Sequence, residues 1–207
     1  DKFPYKDQVD RPNIDAPSTR PQVVYPEYPA TKPAAPAPDT VPSVSGYSAS
    51  DSVNPYQLAT EADGTAISYA DISDYAYIYA SVENYSPTYG NIKITLENSK
   101  PAAERVGIQA IYYEAKEWGY TPVTVFVGSL VEGEQYLVAE LGETSLIDAP
   151  YQAIPDKKIR DQTIIGFVIF IDSLPSFAPQ ADTIGTCKIK SFEFLTDDDP
   201  KLQDRYV

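Results

Sequence analysis

From about residue 59 onward, apolar residues recur at every second position in short runs, and Gly, Pro, Asn and Asp fall between the runs. Alternation of this kind predicts strands with one buried face. Eight candidates follow: Thr65–Tyr69, Tyr75–Val82, Asn91–Glu97, Val106–Glu114, Pro122–Val127, Gln135–Leu141, Thr163–Asp172 and Thr186–Leu195. Turn signals separate them, among them Ser86-Pro87, Trp118-Gly119, Glu132-Gly133 and Gly142. No segment has a convincing helical period. The expected fold class is all-β, an antiparallel sandwich or jelly roll of about eight strands.

Individual strands carry more detail. Ile92, Ile94 and Leu96 share one phase and Lys93 and Thr95 the other, a half-buried pattern. Tyr75, Tyr77 and Tyr79 alternate with Ala76, Ile78 and Ala80, and either set can be the buried one. The run TIIGFVIFID, residues 163–172, is apolar in both phases. It is expected to be central, with its second face covered by loops, by the N-terminal arm or by a partner. Gly166 within it implies a bulge or a close backbone approach. The phase changes between Ile189 and Phe192, which a β-bulge near Lys190-Ser191 would reconcile.

The first 58 residues differ. They hold 11 of the 19 prolines, densest in YPEYPATKPAAPAPDTVP. Proline fixes φ and holds its predecessor extended, so this stretch favours polyproline II and a semi-rigid spacer. SVSGYSASDS then reads as a flexible joint. The expected organisation is a Pro-rich linker or extended arm over 1–58 and a β-sandwich module over 59–207. The start at Asp1, with no initiator Met, reads as a fragment or a mature product.

Composition narrows the chemistry. The 207 residues include 16 Lys+Arg against 30 Asp+Glu, a formal net charge of −14. Phosphate backbones need clustered cations, so nucleic acid is an unexpected partner, and Lys157, Lys158 and Arg160 are too few to change that. No run of about 18 apolar residues is present to span a membrane. With no His there is no imidazole base or His-ligated zinc, and one Cys forms no internal disulfide. Cys187 reads as a small buried apolar residue. Carboxylate catalysis by Glu114 and Glu117 is the remaining enzymatic option and ranks last, since their spacing is not diagnostic.

The 17 tyrosines are the positive signal, 12 of them after residue 58. Aromatic rings stack under the apolar C–H faces of sugars while a hydroxyl or N–H bonds at the wet edge. QAIYYEAKEWGY gathers Gln109, Tyr113, Trp118 and Tyr120, and Tyr77 and Tyr79 add a ladder. These six are the expected ligand-binding residues. Trp118 in a turn can also be a hydrophobic plug, and the tyrosines can be core. Asp71 and Asp74 in YADISDY have the hard oxygens for a structural Ca²⁺, though turn capping explains them as well.

The closing residues carry a resemblance. Gly166-Phe167, Phe170-Ile171-Asp172-Ser173, Gly185-Thr186 and Ile189 with Phe192 to Phe194 resemble the last strands of galactose-binding-like β-jelly-roll modules. The specific part covers about 30 residues. The resemblance implies a noncatalytic carbohydrate-binding module of a secreted or cell-surface bacterial multi-modular protein, behind a Pro-rich linker. Starch-like or β-glucan chains are the expected partners, with neighbouring modules of a larger chain. A structural or protein-docking sandwich is the competing expectation.

Overall fold

A computed structural model of the chain describes residues 29, 31–48, 57–69, 76–99, 105–113, 121–148, 152–172 and 185–204. Twelve strands run in the order β1 (Ser43–Ser48), β2 (Gln57–Glu61), β3 (Gly64–Tyr69), β4 (Ala76–Glu83), β5 (Asn91–Asn98), β6 (Arg105–Tyr112), β7 (Thr121–Ser129), β8 (Gly133–Glu140), β9 (Ser145–Asp148), β10 (Gln152–Lys158), β11 (Ile164–Asp172) and β12 (Gly185–Leu195). Ten of them form two five-stranded antiparallel sheets. Sheet A has the order β1-β4-β11-β6-β7 and sheet B the order β2-β3-β12-β5-β8, while β9 and β10 form a separate hairpin. Successive strands cross repeatedly from one sheet to the other, the winding of a jelly roll. Among the described residues no helix is long and apolar enough to cross a membrane.

All eight expected strands are present, and four more were not foreseen. β1 lies inside the segment expected to be linker, so the sandwich begins by residue 43 rather than 59. Its Ser- and Gly-rich sequence is a poor strand former, and pairing with β4 holds it. β2 straddles the expected boundary and pairs with β3. β10 carries Pro155, which removes a ladder donor, and among the described residues it pairs with the short β9 alone.

The core lies between the sheets. From sheet A it takes Ile78, Val106, Ile108, Ala110, Phe167, Ile169 and Ile171; from sheet B it takes Ile67, Ile92, Ile94, Leu96, Leu137, Ile189 and Phe194. Fully burying each branched side chain contributes about 1.5–3 kcal/mol. Phe167 meets Phe192 and Phe194 at ring-centroid distances of 5.5 and 6.2 Å, tying the two sheets at their centres. The register shift between Ile189 and Ser191 places the expected bulge in β12 and turns Phe192 back towards the core.

The polar face of sheet B is not plain solvent surface. Lys93, expected to be exposed, is buried. It is 4.3 Å from the centre of the Tyr136 ring and pairs with Asp204 at 3.1 Å, because the segment after β12 folds back over β5. Lys188 meets Glu61 at 2.9 Å and Asp63 at 3.1 Å, and Lys190 bridges to Glu134 at 3.4 Å.

Sheet A is covered on both sides at its centre. The inward and outward residues of β11 alike are buried from Ile164 to Ile169. The Tyr79 hydroxyl occupies the space that a side chain at Gly166 would need, and the Ala80 carbonyl lies 2.9 Å from the same point. The register with β6 also shifts between Ile164 and Gly166. Both readings of Gly166, bulge and close approach, hold.

Gly166→Ala is therefore expected to destabilise the fold by about 1–3 kcal/mol through overpacking. Gly46→Ala, in the same sheet with open space around it, should be neutral or stabilising by up to about 1 kcal/mol. Urea unfolding of the two variants checks this; equal midpoints would remove the Tyr79–Gly166 contact from the account.

Candidate functional site

The outer face of sheet A follows from strand alternation. In β6, Val106, Ile108 and Ala110 point inward, which leaves Gly107, Gln109 and Ile111 outward. In β11, Phe167, Ile169 and Ile171 point inward, and Gly166, Val168 and Phe170 outward. In β4, Ile78 faces the core and Tyr79 the outer side. Strand register aligns these residues in rows. One row runs Tyr79, Val168, Gln109, Thr124. The next sets Phe170 between Tyr77 and Gly107, with Val127 beyond. Neighbours in a row are about 4.8 Å apart and rows about 7 Å.

The face is graded. Tyr79, Val168, Gln109 and Ile111 are closed to solvent. Phe170 is half-buried and Thr124 exposed, and Val127 is 51% exposed. The far edge of the Phe170 ring fills the space above Gly107, where any side chain would displace it.

Gln109 is the polar centre of this face. Its Nε2 donates to Thr124 Oγ1 at 3.3 Å, while Oε1 is buried without a partner. Turning the amide over only exchanges an orphaned acceptor for an orphaned donor. Such an atom costs about 1–3 kcal/mol. A hydroxyl, which both donates and accepts, satisfies either orientation.

The six expected ligand residues divide as follows. Gln109 and Tyr79 share a row. Tyr79 was expected to offer a stacking face, but at 1% exposure its ring offers none; it is packed down on Gly166, which has no side chain to hold it off. Tyr113 is half-buried just past β6 on the same side as Gln109, about 13 Å along the strand. Its N–H donates to the Thr163 carbonyl at 2.7 Å. Tyr77 lies in β4 beside Phe170 by register. Trp118 and Tyr120 lie outside the described residues, as do Asp71, Asp74, Glu114 and Glu117. Phe170, Thr124 and Val127 were not foreseen as site residues. Phe170 was legible as one phase of TIIGFVIFID, but nothing in that run marked its phase as the outer one. Among the described residues, no group of three or more Cys, Asp or Glu side chains is placed to hold a metal ion.

A second polar cluster stands at one end of the sandwich. Asn91, Glu140, Glu143, Arg160, Asp197 and Leu202 line a cleft of about 350 Å³. Arg160 clamps Asp197 with both terminal nitrogens, at 2.9 and 2.7 Å, and Nη2 also donates to Asn91 Oδ1 at 3.2 Å. Tyr85 donates to the Arg160 carbonyl at 2.7 Å. Arg160, read from sequence as part of a loose basic cluster, is a pin joining β5, the turn after β10 and the segment after β12. Its charge is consumed by Asp197.

No protein-family model and no curated protein matches the chain. Among solved structures, the family 11 carbohydrate-binding module from Clostridium thermocellum, in complex with a β-1,3-1,4-mixed-linked tetrasaccharide, aligns with TM-score 0.47 and 11% identity over 73% of this chain and 88% of its own. The family 11 module of the cellulosomal cellulase Lic26A-Cel5E of the same organism gives TM-score 0.47 and 10% identity over 76% and 88%. A family 29 carbohydrate-binding module from Piromyces equi gives TM-score 0.33 and 13% identity over 74% and 94%. Likenesses this loose decide nothing about the ligand of this chain.

The Arg160 pin has a pH signature. Hydrogen bonds from Arg160 and Asn91 hold the Asp197 carboxyl below the usual carboxylate range. A folded-state value below the unfolded one gives stability that is present at neutral pH and lost as pH falls through the folded value. Urea midpoints measured from about pH 6 down to about pH 2 should fall. Asp197→Asn should start lower and fall less steeply. It should not be flat, because Lys188 holds Asp63 low and Tyr136 and Lys190 hold Glu134 low. Parallel curves for the two proteins would take Asp197 out of the acid response.

Proposed function

We propose that the chain is a noncatalytic carbohydrate-binding module that takes a neutral poly- or oligosaccharide, starch-like or β-glucan, on the outer face of sheet A. The observation that carries this is the orphaned Gln109 amide, set in a row of apolar and aromatic side chains that opens onto Phe170, Thr124 and Val127. A sugar supplies what that surface lacks. Its C–H face covers Phe170, and, because Gln109 is itself closed to solvent, its hydroxyl completes the Gln109 amide only as the side chains over that amide move aside. Trp118, Tyr120 and Tyr113 follow directly on the strand that carries Gln109 and extend the surface in this reading.

Single contacts of this type are weak. Tethering to neighbouring modules of a secreted or cell-surface protein, through the Pro-rich segment, raises the effective concentration at the glycan. Asp71 and Asp74, just before β4, are proposed to hold a structural Ca²⁺. The closed centre of the face, where Val168 is fully buried, favours a second reading as a structural or protein-docking sandwich.

Affinity electrophoresis in soluble starch-like and β-glucan polysaccharides separates the two. The wild type should be retarded, Phe170→Ala and Trp118→Ala less so. Gln109→Leu should bind at least about 10-fold more weakly, a loss of about 1.4 kcal/mol. Its unfolding midpoint should hold or rise, because the orphaned polar atom goes with it. Stability and binding moving in opposite directions is the mark of a ligand group. No retardation in any glycan would leave the docking reading. For the proposed calcium, EDTA should lower the unfolding midpoint; an unchanged midpoint would remove the ion.

A further inference from the structure

One fault in strand alternation shapes the outer face of sheet A. In β7, Val123 is core, Val125 and Phe126 both pack against the core, and Thr124 and Val127 are exposed. Residues three apart in a regular strand point to opposite faces. Here the register with β6 shifts between Ile108 and Gln109, which leaves Val125 without a partner. Thr124 then stands opposite Gln109 and Val127 opposite Gly107, so both belong to the outer face. Bulges re-aim side chains in this way at sheet edges. This one sets a hydroxyl and an apolar side chain together on the open rim of a face whose centre is closed.

The hydroxyl is held from beneath. Gln109 is only 3% exposed, and its Nε2 donates to Thr124 Oγ1 at 3.3 Å. Among the described residues Thr124 makes no other hydrogen bond. A hydroxyl has one hydrogen and two lone pairs. With one lone pair taken by the amide, the hydrogen points away from Gln109. A buried carbonyl oxygen lacking a partner is commoner in folded proteins than a buried N–H lacking one, which favours the amide orientation found. Thr124 therefore offers a donor at the surface whose direction a buried side chain sets.

We propose that Thr124 is the specificity-determining residue of this face. Its hydroxyl donates to an oxygen of the ligand, while Val127 and the Phe170 ring take the adjoining C–H surface. This rests on the glycan reading above and names its polar contact. No side chain has to move for it, unlike direct contact with Gln109. The ligand it suits carries acceptor oxygens beside an apolar C–H face, as a neutral sugar ring does. A purely hydrocarbon ligand would cover the hydroxyl and leave it unanswered.

Affinity electrophoresis of the full chain in soluble starch and in a soluble mixed-linkage β-glucan tests this, each variant being shown folded by its urea midpoint. In whichever polysaccharide retards the wild type, Thr124→Ser should bind like wild type. Thr124→Val should bind about 3- to 10-fold more weakly, the worth of one net hydrogen bond. Its midpoint should also fall, because Gln109 Nε2 loses its acceptor. A threonine with only a structural role would lower the midpoint and leave retardation unchanged, which overturns the proposal. Coupling is the second readout. Because Gln109 acts at least in part through Thr124, the loss in the Gln109→Leu, Thr124→Val double variant should fall short of the product of the two single losses. A full product makes the two residues independent and overturns the relay. Val127→Ala should weaken retardation, and Val41→Ala, an exposed valine before β1 at the opposite edge of the sheet, should not. Equal effects of the two would overturn the placement at the bulge. A wild type retarded by neither polysaccharide overturns the glycan reading and this contact with it. A wild type retarded no more strongly than Thr124→Val overturns this contact alone.

Discussion

The fold depends on one strand being buried on both sides. β11 sits third in sheet A, and its inward residues, Phe167, Ile169 and Ile171, close the core against sheet B. The contact of Phe167 with Phe192 and Phe194 is the central one, because it joins the middle strand of one sheet to the middle strand of the other. The outward residues of the same strand, Gly166, Val168 and Phe170, then floor the outer face. Core and candidate site are thus two sides of nine consecutive residues. A change that shifts β11 by one residue would exchange them, since side chains alternate with a period of two.

That coupling explains what was legible in the sequence and what was not. TIIGFVIFID announces a central strand because both phases are apolar, and Ile92, Ile94 and Leu96 announce an inward face because only one is. The bulge in β12 was legible because the phase breaks between Ile189 and Phe192. Burial of the polar phase was not. Lys93 sits in a position that alternation marks as outward and Tyr79 in a phase that alternation left open, and each is fixed by something remote in sequence: Asp204 and Tyr136 over Lys93, the bare backbone of Gly166 under Tyr79. Alternation separates two faces and says nothing of what later lies on them. β1 and β10 escaped for the converse reason. Ser, Gly and Pro give no local preference for a strand, and pairing partners supply what the sequence withholds.

The candidate site was half legible. Gln109 stood out as an amide among aromatics, and the structure puts it at the polar centre of the face. Its meaning depends on its environment, which the sequence does not carry. The amide side chain is common in water and costly when buried with one hydrogen bond missing. Phe170 shows the same limit. Its ring is distinguished only by lying over Gly107, a neighbour across the sheet and far away in the chain.

Electrostatics decide which face is free to act. With 16 basic residues against 30 acidic ones, cations are scarce, and sheet B and the Arg160 pin engage several of them. Lys188 alone answers Glu61 and Asp63, and Lys93 and Lys201 hold down the segment that follows β12. Exposed pairs of this kind add little stability each. Their larger effect is local neutrality, which lets carboxylates crowd the outside of sheet B without repelling the segment packed on it. Sheet A needs no such arrangement at its centre, because the rows through Val168 and Phe170 carry no charge. In the proposed reading, a neutral, partly aromatic face of this kind favours a hydroxyl-rich surface over an ion. A charged ligand would have to give up its hydration to a surface that offers no counter-charge, whereas a neutral sugar would lose little on covering the half-exposed Phe170 edge.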